Sequence, residues 1–156
     1  MTKFFSLIFI IFSISLSSFE QVYTSAQNKL SLLVHKTPTC GCCKKWVKHL
    51  EANSFSTMIK DHQNLQKVKD QYSIKPKYQS CHTAVSQDGY IFEGHIPSEF
   101  IKQFLANPEA DAIGLSVPGM PLGSPGMEVE GRFTPYDVLL LYQDGSSKVY
   151  ARVDQN

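Results

Sequence analysis

Apolar positions along this chain alternate between strand-like and helix-like spacing, and the changes of period mark out its elements. Leu30-Ser-Leu-Leu-Val-His35 is a short, mostly apolar run that predicts a strand. Thr37-Pro38-Thr39 breaks it, and Thr39 is the expected N-cap of the helix that follows. From Gly41 to about Asn53, Cys43, Trp46, Val47 and Leu50 recur at helical spacing. Lys44, Lys45 and Lys48 fill the rest of the wheel, and Asn53 is a fair stop. Phe55 to Ile59 predicts a second strand. A second helix, capped by Asp61 or Asn64, carries Leu65, Val68 and Tyr72.

The pattern then changes. Lys75-Pro76-Lys77 predicts a turn. Cys81 to Val85 and Tyr90 to Phe92 flank Gln87-Asp88-Gly89, a hairpin signal with Asp-Gly at its tip. Pro97 opens a helix holding Phe100, Ile101, Phe104 and Leu105. Asn107 to Pro135 shows little regular pattern and predicts a long loop, a length usually reserved for functional or disordered segments. Pro-Gly-Met occurs in it twice, at Pro118–Met120 and Pro125–Met127. Val138 to Tyr142, Asp144-Gly145 and Lys148 to Ala151 predict a closing hairpin. Alternating strands and helices at the start imply a parallel pairing there. The whole order, βαβα–ββα, predicts an α/β, thioredoxin-like fold with a long Gly/Pro/Met loop and a C-terminal β-hairpin.

The N-terminus carries a different message. Lys3 supplies a positive charge, Phe4 to Phe12 is apolar apart from Ser6, and a Ser-rich stretch follows to Ser18. That layout predicts a secretory signal peptide, too short to span a bilayer, with cleavage near Leu16–Ser18 or after Ala26. Residues 1–26 are therefore expected to be removed, leaving 27–156 as one soluble periplasmic domain. A formal net charge of +1 and the lack of a basic run argue against nucleic acid as a partner.

Three of the four cysteines fall in Cys40-Gly-Cys42-Cys43. Two disulfides would be the ordinary expectation for an exported chain, yet bridging the adjacent pair Cys42–Cys43 would strain the backbone. A domain of this size needs no such staples. The cluster sits at the start of the predicted first helix, where unpaired N–H groups and the helix dipole favour anions. A thiol there has its pKa lowered, and thiolate serves both disulfide exchange and soft-metal binding. Spacing alone leaves redox switch, staple and metal clamp open.

Cys81 tips the balance. In a thioredoxin-like topology the loop entering the third strand faces the N-terminus of the first helix. Thioredoxins place a cis-proline at that point, whereas this chain has Gln79-Ser80-Cys81-His82-Thr83. A fourth sulfur and an imidazole favour a soft metal such as Cu(I). The Cys-x-Cys-Cys knot fits poorly with the paired Cys-x-x-Cys arms of structural zinc or iron–sulfur sites. Met120 and Met127 are further candidate ligands, thioethers that suit Cu(I) and not zinc; core packing is their alternative role. His82 is the leading imidazole candidate, with His35 and His95 behind it. His49 and His62 are expected on the surface, and Trp46 in the core.

Five segments together, "PTCGCCKKWVKHLEANSF", "QSCHTA", "EGHIP", "GLSVPGMPLGSPGME" and "PYDVLL", resemble CopG-type copper-resistance proteins, periplasmic bacterial proteins with a metal-binding domain of unknown function. The resemblance runs from about Leu33 to Tyr150. It implies a thioredoxin-like fold and a cysteine-bridged Cu(I) site that can also take up a disulfide. By position it places the family's cysteines at Cys40, Cys42, Cys43 and Cys81, its Cys-His step at Cys81–His82, and its motif methionines at Met120 and Met127. The expected function is periplasmic copper binding in resistance or homeostasis, with copper ions and other copper-handling proteins as partners. The alternatives are a thiol–disulfide or copper oxidoreductase using Cys40 and Cys43, and a domain stapled by disulfides or zinc.

Overall fold

A computed structural model describes residues 30–155. The expected signal segment and its cleavage sites lie outside the described residues. The elements run β1 (Leu30–Lys36), α1 (Gly41–Ala52), β2 (Phe55–Asp61), α2 (Gln66–Gln71), a single 3₁₀ turn at Pro76–Tyr78, β3 (Thr83–Ser86), β4 (Ile91–Glu93), α3 (Ser98–Ala106), β5 (Ala112–Ser116), β6 (Tyr136–Tyr142) and β7 (Ser147–Val153). Among the described residues, seven strands join one mixed sheet in the order β2-β1-β3-β4-β5-β6-β7.

Sequence period explains which face each strand buries. On β1, Leu32 and Val34 point to one face and are fully buried, as strand alternation requires. That face meets Trp46, Val47 and Leu50 of α1 and Ile101 and Phe104 of α3, forming the main core with Phe55, Phe92, Leu115, Val138 and Leu140. A smaller cluster of Ile74, Tyr78, Val85, Ile91 and Leu141 forms separately. Trp46 anchors α1: its ring is fully buried and its indole N–H donates to the Ile96 carbonyl at 2.8 Å. Replacing a buried aromatic of this size by alanine typically costs about 3–5 kcal/mol.

The register positions the site. β1 runs parallel to β2, from Leu30 opposite Phe55 to Lys36 opposite Asp61. It runs antiparallel to β3, with His35 opposite Thr83. The chain entering β3 therefore meets the end of β1, from which α1 departs. In the β3–β4 hairpin, Thr83 pairs with Glu93, and the Gly94 N–H carries the bonding one step further to the His82 carbonyl at 3.0 Å.

One expectation needs correction. The segment 107–135 is not a continuous loop, because β5 lies within it, parallel to β4 and antiparallel to β6. Gly114 lies opposite Ile91 at φ +145°, and any Cβ there would overlap the Ile91 backbone. The close approach that makes this strand possible also removes the side chain that would have announced it.

Candidate metal centre

The first turn of α1 brings three sulfurs together. Cys40, and not Thr39, is the N-cap: its backbone is extended and its Sγ accepts the Cys43 N–H at 3.3 Å. Positions 40 and 43 lie one turn apart, and their sulfurs are joined in a disulfide. Cys42 and Cys81 are free thiols. Cys42 Sγ lies 3.5 Å from Cys40 Sγ.

The other part of the site comes from the hairpin mouth. Cys81 Sγ lies 3.5 Å from Cys43 Sγ and 3.9 Å from Cys42 Sγ. The four sulfurs all fall within 4.8 Å of one another. A second group with the same mutual spacing, Cys81, His82 and His95, shares Cys81 with the first. His95 Nε2 is 3.0 Å from Cys81 Sγ, and His82 Nδ1 is 3.4 Å away. His95 ranked behind His82 on sequence, yet its place follows from the hairpin. Extending the Thr83–Glu93 pairing by two residues on each strand puts Cys81 opposite His95.

Hydrogen bonding fixes the His95 tautomer. Nδ1 lies 2.8 Å from the Pro125 carbonyl, which can only accept, so Nδ1 carries the hydrogen. The Nε2 lone pair is then bare and directed at Cys81, whose thiol donates to it. A ligand imidazole held through its other nitrogen is the usual arrangement at metal centres. His82 is fully buried, packs against Trp46 with ring centres 4.3 Å apart and planes tilted by 43°, and its Nε2 has no partner among the described residues.

Burial disfavours charge on Cys81, His82 and His95. Burial pushes the Cys81 thiol up to about 12, with the neighbouring Cys42 adding to the effect. Burial lowers His95, and it holds His82 well below its ordinary value, aided by the nearby charges of His95 and Lys69. Buried anionic sulfurs packed this closely need a compensating cation, and neutral imidazoles keep their lone pairs for one.

The long loop closes over both parts. Gly126, at φ +88°, packs so tightly that a Cβ there would stand 2.7 Å from the Cys42 carbonyl oxygen, 2.9 Å from the Trp46 backbone nitrogen and 3.3 Å from His95 Nδ1. Met127 beside it is half-buried, and its N–H donates to the Ser124 carbonyl at 2.7 Å. Met120 is 52% exposed and lines a shallow recess with Pro118, Pro121, Tyr136 and Leu139.

Three histidines lie elsewhere. His35 Nδ1 and His62 Nε2 are 2.8 Å apart, so His35 pairs with another strand end and does not join the sulfur cluster. His49, expected on the surface, is half-buried, and its Nε2 accepts the Ser98 N–H at 3.0 Å, tying α1 to the start of α3.

The class is thus an α/β domain with a sulfur–imidazole cluster at the N-terminus of its first helix. A family model described as "Protein of unknown function, DUF411" matches residues 78–127, which include Cys81, His82 and His95. Two solved structures are similar over nearly their whole length. "Copper resistance protein copG", form 2, is 41% identical, covering 80% of this chain and 98% of that one, with a TM-score of 0.75. Form 1 is 40% identical, covering 81% and 99%, with a TM-score of 0.76. No curated protein matches the chain. At this identity and coverage the chain belongs to the CopG-type copper-resistance family.

Proposed function

We propose that this protein binds copper as Cu(I), for resistance or homeostasis in the periplasm, in a thioredoxin-like domain spanning residues 27–156. Cys40, Cys42, Cys43 and Cys81 supply thiolates, with imidazole from His82 or His95. His95 suits the role better, because Pro125 leaves its Nε2 lone pair bare and turned toward Cys81. Met120 and Met127 are auxiliary thioethers, Met120 on the exposed side of the loop. The observation that carries the reading is Cys81: 38 residues beyond Cys43, its sulfur lies within 4 Å of two of the three helix-end sulfurs. Soft thiolates crowded in this way select soft cations.

The test is an anaerobic Cu(I) titration of the fully reduced protein against a competing chelator. Tight binding with release of thiol protons is expected, and binding no tighter than that of the protein with all four thiols alkylated would refute the reading. Fractionation and N-terminal sequencing of the protein from intact cells test export and cleavage before residue 27.

The disulfide Cys40–Cys43 favours a second reading, redox exchange at the same sulfurs. Two Cu(I) ions giving up one electron each would reduce that bridge to two thiolates and leave two Cu(II). Metal-free turnover with a dithiol substrate supports ordinary thiol exchange instead, and copper-dependent loss of the bridge supports the copper couple.

A further inference from the structure

We propose that Glu93 is the positioning residue for Cys81, its buried carboxylate holding the turn that aims this thiol at the helix-end sulfurs. The idea rests on the copper-binding reading above and names what orients that site.

Cys81 lies outside the strand ladder, since β3 begins only at Thr83. Glu93 grips the chain on both sides of it. One carboxylate oxygen, Oε1, accepts the Ser80 N–H at 2.6 Å and also takes the Lys69 ammonium. The other, Oε2, accepts the Thr83 hydroxyl at 2.6 Å. Lys69 Nζ reaches Thr83 Oγ1 as well, at 3.3 Å. Glu93 and Thr83 are fully buried and Lys69 is 5% exposed. The residues bracketing Cys81 and His82 are thus fixed to one carboxylate, which a lysine from α2 neutralises.

Such a buried pair is a costly way to gain stability alone, because apolar side chains of equal volume are often as good or better. What an apolar substitute cannot do is accept the Ser80 N–H, a backbone donor with no strand partner. Directional hold on the turn is the pair's distinctive contribution. The turn has no slack on its other side either. Ser80 Oγ donates to the Gly119 carbonyl, and Gly94 packs so closely that a Cβ there would stand 2.6 Å from Ser80 Cβ.

Two measurements on the same variants test this. The first is Cu(I) competition with the reduced protein for wild type, Glu93→Gln, Cys81→Ser and the double variant. Glu93→Gln keeps the shape but turns one accepting oxygen into a donor. A tenfold or larger loss of affinity that disappears in the Cys81→Ser background is expected, because the residue acts through that thiol. The second needs no copper: with the Cys40–Cys43 bridge intact, diamide takes the hydrogens of Cys42 and Cys81 and joins them, and Glu93→Gln should slow this several-fold. Should Glu93→Gln fail to fold, Thr83→Val removes one of the three contacts and should show both effects at reduced size. Unchanged cross-linking, or a loss of copper affinity that stays fully additive with Cys81→Ser, overturns the assignment. If wild type binds no Cu(I), the copper reading fails by itself and the cross-linking rates still decide the role of Glu93.

Discussion

Cys40, Cys42 and Cys43 fall within one helical turn, whereas Cys81, His82 and His95 come from the mouth of a hairpin formed far along the chain. The first group needs little more than α1: a cap, a turn, and Trp46 to seat the helix on the sheet. The second needs the sheet to form in register, the β3–β4 pairing to extend past Thr83, and a buried ion pair behind the turn. A cluster built from both parts exists only in the folded domain. Selectivity for a cation of particular size can therefore reside in tertiary structure and not in the Cys-x-Cys-Cys segment.

The comparison breaks most sharply at Cys81. Cys81→Ser removes the sulfur both groups share and should cost about 100-fold in Cu(I) affinity, ~2.7 kcal/mol, in chelator competition. A peptide-like residual affinity from the helix end alone would remain; unchanged affinity would mean the hairpin contributes nothing. Gly126→Ala attacks the contact between the two parts. Its Cβ has no room against the Cys42 carbonyl or the Trp46 backbone nitrogen, and positive φ adds strain, so the metal-free protein should lose about 1–3 kcal/mol in chemical unfolding. Wild-type stability would show that the loop only rests on the site.

His95→Gln tests the imidazole itself. It should weaken Cu(I) binding about tenfold, a typical effect for one nitrogen donor or its support, while His82→Gln chiefly lowers stability by disturbing the packing against Trp46. The reverse assignment would follow if the two variants exchanged these effects in paired affinity and melting measurements.

Acid should act on the helix-end part through His49. Its Nε2 accepts the Ser98 N–H, and burial lowers its pKa despite nearby Glu128 and Glu99. The unfolded chain takes up a proton near pH 6.5 while the folded protein resists until lower pH, so the unfolded state binds more protons in that window. Stability is fully present above about pH 6.5 and falls as the pH drops through the folded pKa. His49→Gln should flatten the decline by under about 1 kcal/mol, read from denaturant unfolding between pH 7 and 5. Identical pH slopes for variant and wild type would remove His49 from the account. The smallest effect expected is that of Met120→Leu, within about twofold in Cu(I) affinity, because the thioether is largely exposed; a tenfold loss would make Met120 a direct ligand.

Legibility in the sequence follows the same division. β1, α1 and the β3–β4 hairpin were readable because their signals are local: period, the Thr-Pro-Thr break and an Asp-Gly turn, although the cap itself falls one residue later than expected. β5 was not, since its central position is a glycine whose missing side chain is the condition for pairing with Ile91. By residue type and neighbours alone His95 stands behind His82, although counting outward from the Asp-Gly turn sets it across from Cys81. His49 departs from its expected surface position because its partner is a backbone N–H at the start of another helix, which no local pattern reveals. The Lys69–Glu93 pair was likewise invisible, its members 24 residues apart on different elements.

The bridge between Cys40 and Cys43 has a consequence for the nascent chain. Synthesis proceeds from the N-terminus, so all three helix-end thiols emerge while Cys81 is still 38 or more residues from completion. Of the pairings within the four, this one needs only a single turn to close. An oxidant met early would thus set the first bond before the distant thiol can compete, leaving Cys42 and Cys81 as the pair still open when the domain closes.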